Sequence, residues 1–195
     1  MSNENNDEYI DIVIGVAGQS NSNGTTGHES FTIEDLPHPQ VSMLSAGQQN
    51  YRYPAMPNGQ FQLFQFPMQA RGISTMTGVN FALNFCKKLA TQNKKYRIHV
   101  ISGSVPGTGF ADWNASTQQC QMGVSWHPDW PIKNNNLYEQ FADRIRKYSP
   151  TGTIDLLLWH QGENDAQNPH YKTLFTYFIS KLQGEFGKFD IGVGT

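Results

Sequence analysis

Three short clusters in this sequence combine small residues with hydrogen-bonding side chains. They are Gly18-Gln19-Ser20-Asn21, Gly107-Thr108-Gly109-Phe110-Ala111-Asp112-Trp113 and Trp159-His160-Gln161-Gly162-Glu163-Asn164-Asp165. A serine beside backbone N–H groups at a helix start can act as a nucleophile if a base lies near, because that environment favours developing negative charge. On local sequence alone Ser20 is equally well read as an N-cap. Other chemistries fit worse. Gly15, Gly18 and Gly24 match neither phosphate-loop spacing, and Ser22 stands where the last glycine of a GxSxG elbow belongs.

Each cluster follows an apolar run of strand length. Ile10–Ala17 is nearly continuous and closes on Gly18, Arg97–Ser102 reads as another strand, and Ile154–Trp159 as a third. Such runs suit strands buried on both faces of a parallel sheet. Val41–Leu44 and Phe189–Val193 complete a set of five. Between them, Val79, Ala82, Leu83, Cys86, Leu89 and Ala90 recur at helical spacing over 78–91. Leu137, Phe141, Ile145 and Tyr148 mark a second helix, and Tyr171 to Phe186 a third, with Asn168-Pro169 as its expected start. Residues 1–8 read as a disordered lead-in, 21–40 and 103–133 as long loops, and 46–72 as an irregular segment. The alternation predicts a three-layer α/β/α sandwich around a five-stranded parallel sheet over residues 9–195. Ligands of such sheets bind at the carboxyl ends of the strands, where all three clusters fall.

The clusters resemble the motifs of the SGNH hydrolases, a flavodoxin-like family. Gly18-Gln19-Ser20-Asn21 is similar to its nucleophile block. Trp159 to Asp165 resembles the WxQGExD signature of the branch containing sialate O-acetylesterases and acetylxylan-type carbohydrate esterases, and Gly107-Thr108 with Trp113 resembles its oxyanion-glycine stretch. The resemblance implies that Ser20 attacks an ester carbonyl. It also implies that Ser20 N–H, Gly107 N–H and the Gln161 amide receive the oxyanion, with no metal or other cofactor. Asn21 and Glu163 would be supporting residues, with Glu163 steadying Gln161 or the Ser20 loop. Asn164 and Asp165 are read as turn residues. Trp113, Trp126 and Trp130 either stack on a sugar or plug the gap between loop and sheet. The implied substrate is an O-acetylated carbohydrate (sialic acid, xylan or another glycan) cleaved through an acyl-serine intermediate. The alternatives are a glycan-binding pseudo-esterase and a structural module of a larger surface or phage protein.

In that family an Asp-x-x-His pair after the last strand supplies the base. Here the fifth strand runs to Val193 and the sequence given stops at Thr195, so the domain is expected to be truncated before that loop. His127, with Asp129 nearby, is the stand-in with a path to the site. His160 is expected to point away from it, His99 to be buried in its strand, and His28, His38 and His170 to have no partner.

Composition agrees with a neutral polar ligand. The 195 residues carry 14 Lys+Arg against 16 Asp+Glu, a net charge of −2, so no basic surplus exists for nucleic acid. The sequence holds 16 Asn and 16 Gln, more than its charged residues. Two cysteines, Cys86 and Cys120, have no metal or redox spacing. The polar, acidic N-terminus is unlike a signal peptide and no run is long enough to span a bilayer, so no membrane partner is expected. A cytoplasmic protein, or one exported without a leader, is the expectation; composition leaves compartment and oligomeric state open.

Overall fold

A computed structural model describes residues 8–19, 22, 36–44, 59–64, 81–105, 107–110 and 124–194. The described elements are β1 (Ile10–Gly18), β2 (Val41–Leu44), β3 (Phe61–Leu63), α1 (Phe81–Gln92), β4 (Tyr96–Ser102), α2 (Leu137–Tyr148), β5 (Leu156–His160), α3 (Tyr171–Phe186) and β6 (Asp190–Val193). They form one mixed sheet in the order β3-β2-β4-β1-β5-β6. β1 lies inside it, parallel to β4 on one side and to β5 on the other.

The apolar runs are continuous because the sheet is covered on both faces. Val13, Ala17, Ile101, Leu157 and Trp159 face a core shared with α2 and α3. Their neighbours Ile14, Val16, Val100 and Leu158 face a second core with α1, where Ala82, Leu83, Cys86 and Ala90 form the buried stripe. Burial pushes the Cys86 thiol far above its ordinary range, so it behaves as a small apolar core residue. No helix among the described residues is long and apolar enough to cross a membrane.

Two expectations need correction. The sheet has a sixth strand: β3 pairs antiparallel with β2 (Leu44 opposite Phe61, Ser42 opposite Leu63) inside the stretch expected to be irregular. Three residues are too few for a period-two pattern to show in sequence. The third helix also starts later than Asn168-Pro169. The Asn168 side chain instead accepts from His170 N (3.0 Å) in an Asx turn, and α3 begins at Tyr171. At α2 the cap is local: Asn136 Oδ1 accepts from Glu139 N (3.0 Å), while its Nδ2 donates to Pro128 O (2.9 Å) and Trp130 O (3.0 Å). One side chain thus starts α2 and holds the Trp126–Trp130 loop.

A polar cluster ties β1, β4 and β2 together. Asp11 bonds His99 Nε2 (2.7 Å) and Arg97 (3.1 Å), and His99 Nδ1 meets Ser42 Oγ at 3.3 Å. His99 is therefore half-buried and paired, not enclosed in the core. The Ser–His–Asp order does not make this a nucleophile site: Ser42 also donates to Ile98 O (3.2 Å), and the cluster lies mid-sheet, toward the start of β1. Burial alone raises the Asp11 carboxyl, but hydrogen bonds and charge from His99 and Arg97 outweigh it and hold Asp11 below the ordinary carboxylate value.

A folded-state value below the unfolded one of about 3.9 means that the Asp11 contribution is complete at neutral pH and is lost as pH falls through the folded value. Asp11→Asn should therefore cost about 1 kcal/mol at pH 7. Urea unfolding should show the gap between variant and wild type narrowing toward pH 3; a gap that is unchanged between the two pH values would contradict this assignment.

Candidate functional site

The carboxyl ends of β1, β4 and β5 are stitched to one another. Gln19 N donates to His160 O (3.0 Å), and Val105 N to Gly18 O (3.1 Å). Gly18 has φ +132°, and a Cβ there would collide with the His160 carbonyl, so only glycine lets β1 leave the sheet this close to β5. Ser22 returns to the same exit, its Oγ donating to Gln19 O (2.6 Å). Ser20 and Asn21, expected at this point, lie outside the described residues, as does Trp113.

After β4 the chain turns at Gly107, whose φ of +70° favours glycine. Among the described residues nothing accepts from its N–H. Thr108 is fully buried, donating to Val105 O (2.7 Å) and accepting from Trp126 Nε1 (3.1 Å). The turn is thus fixed from behind while Gly107 remains half-exposed.

After β5 comes Gln161, 5% exposed. Its Nε2 donates to Asp165 Oδ2 and, at 3.4 Å, to Thr108 O. Among the described residues, Gln161 Oε1 and Gln19 Oε1 are buried without hydrogen-bond partners. Asp165, read from sequence as a turn residue, does shape the turn, since its N–H donates to Gly162 O (3.0 Å). Its carboxylate does more: buried at 6% exposure, it accepts from Phe110 N (2.9 Å) and Asn168 Nδ2 (2.9 Å) besides Gln161. Gln161 and Asp165 stand four residues apart around a glycine. An acid at that spacing from a buried amide is the signal that sequence reasoning passed over.

Tyr171 supports the same loop. Its hydroxyl donates to Gln161 O (2.8 Å) and accepts from Trp159 Nε1 (3.1 Å). Burial raises its ionisation above the ordinary phenol value; Trp159 opposes the rise, and the negative charges of Asp165 and Glu163 add to it. The phenol therefore stays protonated and keeps its donor.

The remaining expected site residues are dispersed. Glu163 Oε1 lies 3.6 Å from His160 Nε2, and the His160 ring packs on Phe81 at 5.8 Å, on the α1 side of the sheet. His127 and Asp129 do not form a His–carboxylate pair. His127 Nδ1 accepts from Asp129 N (3.1 Å), its ring lies against Tyr177, and the Asp129 carboxylate takes the Tyr177 hydroxyl (2.6 Å) and Lys181 (3.7 Å). Trp126 is fully buried against Trp159 and Phe178, so for this residue the gap-plugging reading holds and the sugar-stacking one does not. Among the described residues no group of three His, Cys, Asp or Glu side chains could hold a metal ion.

No curated protein sequence matches the chain. Among solved structures it is similar to NanS (TM-score 0.66, 19% identity), covering 91% of this chain and 62% of NanS. It is similar to a protein from Arabidopsis thaliana (TM-score 0.65, 15% identity), covering 93% of this chain and 72% of that one. It is also similar to a carbohydrate acetylesterase from Xanthomonas citri (TM-score 0.51, 15% identity), covering 91% and 39%. The chain therefore spans less than two thirds of NanS, and the shared architecture is the SGNH-type α/β/α sandwich. The family described as "Carbohydrate esterase, sialic acid-specific acetylesterase" matches residues 10–193, and with the strand exits arranged as above, the chain belongs to that carbohydrate esterase family.

Proposed function

We propose that this domain removes O-acetyl groups from a carbohydrate, with acetylated sialic acid the leading substrate, by acyl transfer through Ser20. The observation that carries the reading is the hydrogen-bonded meeting of three strand exits. Ser20 follows Gln19 directly in the chain, the Gly107 N–H has no partner among the described residues, and the Gln161 amide is buried beside the same turn.

In the proposed step Ser20 Oγ attacks the acetyl carbonyl carbon and gives its proton to a general base. The ester C–O bond then breaks, the sugar oxygen leaves as a hydroxyl with that proton, and acetyl-Ser20 remains. Water hydrolyses this intermediate to acetate and free serine. Charge accumulates on the carbonyl oxygen in both halves. Preorganised donors aimed there supply the largest share of catalysis in such sites. Ser20 N–H, Gly107 N–H and the Gln161 amide are assigned that role, with Asn21 and Glu163 as supporting residues and Trp113 and His127 as sugar contacts. The amide-rich composition suits a ligand rich in hydroxyls, as each of these sugars is.

Acetate release from acetylated sialic acid and acetylated xylan, measured with this chain and with one extended by any sequence coded past Thr195, tests the reading. Ser20→Ala should abolish both turnover and covalent labelling by an organophosphonate in whichever chain is active. Labelling that survives the substitution would remove Ser20 from the role. Binding of acetylated glycan without turnover in either chain would favour a pseudo-esterase.

Gly107→Ala should lower stability by about 1 kcal/mol, because alanine resists positive φ. It should also reduce kcat about tenfold or more through a displaced N–H. Thermal unfolding and steady-state kinetics check the two effects separately; a stability loss with unchanged kcat would leave Gly107 as a turn residue only.

A further inference from the structure

We propose that Asp165 is a positioning residue that works through Gln161, orienting the amide so that its second N–H is presented on the Gly107-Thr108 turn. The inference rests on the serine-esterase reading above.

A buried carboxylate is costly unless hydrogen bonds satisfy it. Asp165 is satisfied by three N–H groups, from Phe110, Gln161 and Asn168, and among the described residues no lysine or arginine pairs with it. Hydrogen bonds to an ionised acceptor are about twice as strong as neutral ones. The two protons on Gln161 Nε2 are therefore held unequally. One is gripped by the carboxylate. The other reaches Thr108 O at 3.4 Å, at the long limit of a useful hydrogen bond.

The unpartnered Gln161 Oε1 shows which interaction decides the orientation. Turning the amide over would bring Oε1 against the Asp165 carboxylate, oxygen facing oxygen, so the amide keeps Nε2 on Asp165 even though its own carbonyl has no donor among the described residues. The loosely held proton then lies beside the backbone of the turn that carries Gly107 N–H. An oxyanion formed at that turn could draw it away from Thr108 O at little cost, with the amide already in place. Gly109 belongs to the same device, since a Cβ there would collide with Asp165 Oδ2.

Side-chain amide spectra of 15N-labelled protein test this directly, with the Gln161 pair assigned by its loss in Gln161→Met. In wild type one geminal proton should lie well downfield of the other and exchange slowly. In Asp165→Asn the separation should collapse while backbone dispersion is retained. If Asp165→Asn does not fold, Gly109→Ala, which pushes on the carboxylate, should produce the same collapse. Unchanged Gln161 signals in the folded variant would overturn the proposal.

Kinetics on an acetyl ester give the functional arm. Asp165→Asn should lower kcat about tenfold or more with KM within about twofold, and adding it to Gln161→Ala should cause no further loss. Fully additive losses would also overturn it. The two readings fail separately: wild-type turnover in Ser20→Ala removes the serine mechanism, whereas the amide spectra report on Asp165 and Gln161 regardless.

Discussion

Both faces of this sheet are covered by helices, so the loops that leave its carboxyl edge carry polar groups into a region with little water, and those groups must satisfy one another. The Asp165 carboxylate is where this requirement is met. It binds the β4 exit through Phe110 N, the β5 exit through Gln161 and the approach to α3 through Asn168, whose Nδ2 also reaches Phe110 O at 3.2 Å. Two stretches distant in sequence, the β4 exit and the β5–α3 connection, are thereby held by one side chain. The close fit of Gly109 and the late start of α3 both follow from it.

Behind that polar knot stands an aromatic one. The Trp159 ring packs against Phe178 (4.9 Å), Phe175 (5.3 Å), Trp126 (5.4 Å) and Phe110 (5.6 Å). Aromatic side chains bury much area with few rotatable bonds, which makes them a stiff backing for a site. Coupling between the two layers is direct: Trp126 donates to Thr108 behind the Gly107 turn, and Trp159 donates to the Tyr171 hydroxyl that holds the Gln161 carbonyl. The signature tryptophan, fully buried, thus serves the loop that follows it, and the Trp126 loop is kept against the core by the same Asn136 that caps α2.

How much of this could be read beforehand depended on the range over which each signal acts. β1, β4 and β5 were legible because double burial leaves a continuous apolar run, and α2 because its stripe is regular. β3 was not, since an edge strand of three residues carries no period. Asn168 misled because a good local cap was taken for a tertiary purpose, binding Phe110 and Asp165. At the site, the positions of Gly107 and Gln161 at strand exits followed from order along the chain. The partners of each side chain did not, because a hydrogen bond between residues 110 and 165 leaves no trace in local pattern. His127 and Asp129 show the reverse error: neighbours in sequence suggested a pair, but Asp129 turns to Tyr177 and Lys181 on α3.

The charge pattern sharpens the chemical argument. Gln161 is a neutral donor polarised by a buried anion, and that differs from using a cation at the same place. A lysine or arginine would bind the ground-state carbonyl, any anionic substrate group and the Asp165 carboxylate strongly, and would hold on to them all. In the proposed role, an amide fixed by Asp165 would interact weakly with a neutral ester and gain strength only as charge develops on the oxygen, which is the difference between states that accelerates a reaction. Lowering the donor's own mobility matters as much as its polarity, since a rotating amide would have to be ordered during each turnover. A chain poor in charge and rich in carboxamides has the parts for such a site, with one carboxylate placed against Gln161 and the 109–110 backbone.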